Sequence, residues 1–169
     1  NKSSTSLTSS QAVSVGAVMG RIRPPKRGAA TPKISFLISA YNEEKAIGEK
    51  LRQTLALDYP AHQLEVIVAS DGSTDRTDEI VKSFPDRRVR LHRSEGRVGK
   101  TATLNGAVAA ATGEIVVFSD ATGIFSENAL RALASRFADP EVGCVAGRVA
   151  YAYGRDATSK GFRGYQRVA

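Results

Sequence analysis

Asp120 and Thr122 stand two residues apart, just past Ile115-Val-Val-Phe118, a run of four apolar residues followed by Ser119. The run reads as a short buried strand. Being apolar on both faces, it suits the middle of a parallel sheet covered by helices. A carboxylate just past the carboxyl end of such a strand lies where open α/β sheets bind ligands. Two more acidic clusters follow apolar runs in the same way: Tyr41-Asn42-Glu43-Glu44 after Ile34–Ala40, and Asp71-Gly-Ser-Thr-Asp75 after Leu64–Ser70. Ionised carboxylates accept hydrogen bonds from hydroxyl and imide groups and hold hard cations. Lys100, 20 residues before Asp120, adds the positive charge an anionic ligand needs. Each residue also has a structural use. Asp71 and Asp75 can cap a helix, Asp120 can cap a loop, and Lys100 can be a solvated first-turn lysine.

The elements that position these residues alternate. Ile34–Ala40 is strand one, and Asn42 is a good N-cap for a helix whose first turn holds Glu43 and Glu44. Ile47, Leu51 and Leu55 give that helix an apolar stripe, and Asp58-Tyr59-Pro60 ends it. Leu64–Ser70 is strand two, with Ser73 or Thr74 capping the next helix and Pro85 stopping it. Val89–Leu91 is a short third strand. A helix from about Lys100 to Ala111 carries Leu104, Ala107, Val108 and Ala111 on one face. After the Ile115 strand, Ser126 caps a helix bearing Leu130, Leu133, Ala134 and Phe137. Val142–Val149 reads as a fifth strand. Strand and helix in alternation predict an α/β fold with a mostly parallel sheet and right-handed crossovers. All three acidic motifs then fall at carboxyl ends of strands and line one edge of the sheet.

The 169 residues suffice for one domain with a real core, and 41% of them are apolar. The net charge of +7 is concentrated. Residues 1–33 hold six Lys or Arg and no acid, leaving 18 basic against 17 acidic residues in the rest. We read 1–32 as a flexible basic tail and linker, 33–150 as the ligand-binding domain, and 151–169 as the start of a further segment. No basic face with interleaved aromatics marks the body, so no nucleic-acid partner is expected. The single cysteine, Cys144, reads as a core residue and excludes a disulfide framework or zinc cluster, which fits a reducing, cytoplasmic compartment. No apolar run approaches the roughly 18 residues of a membrane span.

Three nucleotide-binding patterns can be compared. A dinucleotide fold needs Gly-x-Gly-x-x-Gly after strand one, where this chain has Ala40-Tyr-Asn-Glu-Glu44 with two carboxylates. A P-loop is a closer miss. Ser94-Glu-Gly-Arg-Val-Gly-Lys-Thr101 differs from Walker A in its first glycine, but it leaves Asp71–Asp75 without a role. The third pattern uses every motif. Ser39-Ala-Tyr-Asn-Glu-Glu44, Val68-Ala-Ser-Asp-Gly-Ser-Thr-Asp75, Gly99-Lys-Thr-Ala-Thr-Leu-Asn-Gly106 and Phe118-Ser-Asp-Ala-Thr122 resemble, in order, the motifs of the family 2 glycosyltransferases. The resemblance covers about residues 33–150.

The resemblance implies a GT-A fold, a Rossmann-like three-layer sandwich. It implies inverting transfer of a sugar from a nucleotide-diphosphate donor, most often a UDP-sugar, to a hydroxyl of a glycan or lipid acceptor. Carried over residue by residue, Tyr41, Asn42, Glu43 and Asp71 hold the nucleoside, Asp75 supports their loop, and Lys100 lies near base and phosphates. Asp120 is the first carboxylate of an Asp-x-Asp motif that binds ribose and a divalent cation, Mg or Mn. Thr122 stands where the second carboxylate belongs, and a neutral hydroxyl is the weaker ligand for a hard cation. The general base is expected outside these residues, Glu127 and Glu141 reading as ordinary helix and loop positions. Relatives that build polysaccharides work at the cytoplasmic face of a membrane, which flanking segments would supply here. The reading from another class is a nucleotide-binding module without catalysis.

Overall fold

A computed structural model describes residue 28 and residues 31–147. The expected segment 151–169 and nearly all of the expected 1–32 tail lie outside these residues. The chain runs β1 (Ile34–Ala40), α1 (Ile47–Leu55), β2 (Leu64–Ser70), α2 (Thr77–Lys82), β3 (Val89–Arg93), α3 (Lys100–Ala109), β4 (Ile115–Asp120) and α4 (Ala129–Ala134). Short 3-10 turns at Ala61–Gln63 and Ser135–Ala138 complete the series.

All four strands are parallel, in the order β3-β2-β1-β4. β1 is the hub. It pairs with β2 from Ile34↔Leu64 to Ala40↔Ser70 and with β4 from Ile34↔Ile115 to Ser39↔Asp120. The chain leaves β1 in one direction along the sheet and returns on its other side. That reversal opens a crevice between the carboxyl ends of β1 and β4.

Alternation along the strands divides the core into two layers. Phe36, Ile38, Val66, Val68, Ile115 and Val117 face α1, α2 and α4, meeting Ile47, Leu51, Val81, Leu130 and Ala134. Leu37, Ile67 and Ala69 face the other way and meet Ala107 of α3. Each fully buried Leu, Ile, Val or Phe side chain contributes about 1.5–3 kcal/mol. The result is the parallel α/β sheet expected from strand–helix alternation, in the three-layer arrangement that the family resemblance implies.

Several local expectations are corrected. β4 is at an edge of the described sheet, not its middle, and Phe118 is 55% exposed. α3 packs mainly on β1, β2 and β3, and Phe118, near the end of the edge strand, is left open to solvent. Val108 turns outward from α3, which ends at Ala109. Residues 142–147, expected to begin a fifth strand, form no strand, and 148–149 lie outside the described residues. Nothing in the described sheet pairs with that run, and it is interrupted by Gly143 and Gly147. Cys144 within it is exposed and not part of the core. Asn42 does not cap α1. The helix begins five residues later, at Ile47, with no side-chain cap.

Candidate functional site

The loops after β1, β2 and β4 and the approach to α3 converge on a cleft of about 400 Å³ at the carboxyl edge of the sheet. Tyr41, Glu43, Asp71, Lys100, Asp120 and Thr122 all line it. The structure thus brings together six of the eight residues singled out from sequence. The other two, Asn42 and Asp75, stand behind the lining.

Asn42 and Asp75 join the β1 and β2 loops. Asn42 has φ of 55°, a left-handed conformation that Asn tolerates better than most residues. Its amide oxygen accepts from Thr74 N at 2.9 Å, while its own N–H donates to Ser73 Oγ. Glu43 N–H donates to Thr77 Oγ1 at 2.8 Å, and Glu44 N–H to Asp75 Oδ2 at 3.0 Å. Asp75 Oδ1 also accepts from the N–H of Thr77, the first residue of α2, whose N-cap position is Arg76 and not Ser73 or Thr74. Burial pushes the Asp75 carboxyl up, but these donors outweigh it and hold it below its ordinary value.

Asp71 is buried at the floor of the cleft. Its Oδ1 accepts from Val98 N, Gly99 N and Thr103 Oγ1 at 2.8, 2.9 and 3.0 Å. Oδ2 receives one longer bond, from Gly99 N at 3.1 Å. A carboxylate has about four acceptor positions, so Oδ2 keeps capacity for a donor from the cleft. Burial raises this carboxyl. The three donors and the nearby Arg97 charge override burial and leave it depressed, hence ionised at neutral pH. The same bonds exclude the P-loop reading. The amides of Val98 and Gly99 point at a protein carboxylate, where a P-loop would aim them at phosphate.

The opposite wall is cationic and exposed. Lys100 Nζ pairs with Asp120 Oδ1 at 2.5 Å, and Ser39 Oγ donates to the same oxygen at 3.0 Å. The Lys100 bond is the leading cause of a lowered Asp120 carboxyl, helped by Ser39 and opposed by partial burial. Arg97 lies over the Tyr41 ring, its guanidinium carbon 4.2 Å from the ring centre. Sequence reasoning passed over Arg97, Ser39 and Thr103. Ser39 and Thr103 were legible in the quoted motifs but carried no charge to mark them.

The arrangement combines a recessed acceptor, an aromatic face, two cations and a rim carboxylate at a topological switch point. The sequence model described as Glycosyl transferase family 2 matches residues 35–166. The chain belongs to glycosyl transferase family 2. It is 34% identical over 125 residues to a beta-monoglucosyldiacylglycerol synthase of Synechocystis sp., covering 72% of this chain and 26% of that relative. A poly-beta-1,6-N-acetyl-D-glucosamine synthase of Staphylococcus epidermidis is 33% identical over 68% of this chain and 28% of its own length. Among solved structures, the mannosyltransferase PcManGT of Pyrobaculum calidifontis, in complex with GDP-Man and Mn2+, superposes with a TM-score of 0.65. It is 35% identical, with 72% of this chain and 38% of that one covered. S. aureus TarS 1-349 in complex with UDP-GlcNAc gives 0.54 at 32% identity, covering 60% of this chain and 30% of its own. The fold is therefore GT-A, and family 2 membership identifies the chain as a glycosyltransferase sequence. It spans about a quarter of the length of the curated relatives it matches.

Proposed function

We propose that this chain forms the donor-binding part of an inverting glycosyltransferase that uses a nucleotide-diphosphate sugar, a UDP-sugar first, and a glycan or lipid hydroxyl as acceptor. The observation that carries the reading is the convergence of Asp71, Lys100 and Asp120 on one cleft at the β1/β4 reversal. In this reading Asp71 Oδ2 accepts from the base imide, Tyr41 supplies an aromatic face, and Asp120 accepts from ribose hydroxyls. Lys100 and Arg97 neutralise the diphosphate. The relatives support the donor class, since the solved neighbours hold GDP-Man or UDP-GlcNAc.

A divalent cation belongs to the same proposal. Magnesium sites at phosphates commonly use one or two carboxylates, with substrate oxygens and waters completing the shell. Asp120 Oδ2 and the exposed Thr122 hydroxyl meet that minimum, although no group of three or more acidic, His or Cys residues exists among the described residues. When bound there, the cation stabilises the charge that develops on the departing diphosphate. The protein's own part is to place that diphosphate against Lys100 and to hold Asp120 ionised.

The acidic residues lining the cleft are Glu43, Asp71 and Asp120. All belong to the donor side in this reading, so the general base is proposed to come from outside residues 31–147. A non-catalytic nucleotide-binding module is the second reading, favoured by Thr122 in place of a carboxylate. Calorimetric titration with a panel of nucleoside diphosphates, with and without Mg2+ or Mn2+, tests both against Asp120→Asn. The proposal expects selective binding, strengthened by the cation and weakened by the substitution. Absence of binding under every condition would remove it, and binding without transfer would favour the module.

A further inference from the structure

Helix α1 buries Ile47, Lys50, Leu51 and Thr54. Three of these are unremarkable on a core face, and Lys50 is not. It is 4% exposed, in a position where an apolar side chain would be less costly. Among the described residues it makes no ion pair. Its ammonium instead donates to the carbonyl oxygen of Gly123. It also stands 5.3 Å from the ring centre of Phe36 and 5.0 Å from that of Phe125. These rings meet edge to face, their centroids 5.0 Å apart, so ammonium and aromatics form one cluster.

The carbonyl that Lys50 reaches closes the turn bearing the rim residues. Gly123 N–H donates to Asp120 O at 3.2 Å, making Asp120–Gly123 a single tight turn. Asp120 and Thr122 project from it into the cleft, while Ala121 is buried. The outer side of the turn is open, with Ile124 81% exposed. Lys50 thus grips the turn's backbone from beneath, from a different element. The charge of Asp120 favours the ammonium without touching it.

We propose that Lys50 is a positioning residue: its buried ammonium fixes the Asp120–Gly123 turn and so sets where Asp120 and Thr122 meet the diphosphate and its cation. This rests on the donor-site reading. A buried cation without a counter-ion costs stability, and the position gains from it a fixed carbonyl under the site. A packing role predicts the opposite balance, with stability and function rising or falling together.

The test compares Lys50→Met and Lys50→Arg with the wild type in the whole protein. Three quantities are read: the melting temperature, hydrogen exchange of the amides from Ala121 to Phe125, and UDP binding with and without Mn2+. Losing a hydrogen bond from a charged group corresponds to about tenfold or more in a local equilibrium. Lys50→Met should therefore speed exchange in the turn and weaken Mn2+-dependent UDP binding, each by about tenfold or more. Its melting temperature should hold or rise, and Lys50→Arg should recover part of the binding. A Lys50→Met protein with wild-type exchange and binding overturns the proposal. So does one that fails to fold, or that loses stability in step with binding, because Lys50 is then a packing residue. If the wild type binds no nucleotide at all, the donor reading falls, and the exchange comparison still decides the role of Lys50.

Discussion

The two ends of the cleft are built differently. At the β2 end, Asp71 is recessed and saturated on one oxygen by two amides and a hydroxyl, behind a lattice of bonds between the Asn42–Glu44 and Ser73–Thr77 segments. At the β4 end, Asp120 is exposed and held by an exposed lysine, a serine and a turn gripped from below. Buried, fully satisfied polar networks are rigid and contribute stability, whereas an exposed ion pair contributes about 0–1 kcal/mol. One end is set before a ligand arrives. The other keeps its carboxylate available for one.

Substitutions can break this contrast, beginning with the largest expected change. Gly72 has φ of +67°, and a Cβ there would lie 2.5 Å from the backbone of Gly96. Gly72→Ala should therefore cost about 3 kcal/mol in urea unfolding, by forcing the two loops apart. Asp71→Ala removes the acceptor shared by Val98, Gly99 and Thr103 and should cost about 2 kcal/mol, with UDP affinity falling in parallel.

At the other end the effects are smaller. Burial lowers the Lys50 ammonium from 10.5 to about 8, against the opposing pull of Asp120. Between those pH values the unfolded chain binds a proton that the folded chain does not. Stability should therefore rise with pH across that window, by about 1–2 kcal/mol, and Lys50→Met should flatten the rise in a pH series of denaturation curves. Asp120→Asn should shift unfolding by no more than about 0.5 kcal/mol, since its ion pair is exposed. Sugar transfer, measured on the same protein, should fall about 100-fold or more. If Asp120→Asn destabilised the protein as much as Asp71→Ala, the contrast between the two ends would be wrong.

The clustering of the three acidic motifs was legible because each begins within two residues of the end of an apolar run. A parallel sheet then forces them to one edge. In the sequence, that Asp75 supports the loop after β1 follows only from the family resemblance. Its spacing alone fitted a helix cap equally well, and the carboxylate in fact serves both the Glu44 amide and α2. Strand placement was harder. Ile115–Phe118 and Val142–Val149 look alike in composition, but whether an apolar run lies central, at an edge or outside the sheet depends on partners far along the chain. Asn42 failed as a helix cap because its side chain is committed to Thr74, 32 residues away. Lys50 had a local signal, a lysine beside Leu51 on an apolar stripe, which charge counting alone does not separate from a solvated lysine.

The strand order has a consequence for how the molecule assembles. Ile34 meets Leu64 after 30 residues, but it meets Ile115 only after 81. Closing the longer loop costs about 0.9 kcal/mol more chain entropy than the shorter one, and contacts of high sequence separation slow folding. β1 and β2, with the loops that enclose Asp71, can therefore pair early, on a ribosome or in a refolding experiment. Asp120 reaches Ser39 only when β4 docks on the far side of β1. The rim carboxylate is thus placed late in folding, and an intermediate lacking β4 would hold the recessed half of the cleft with no opposite wall.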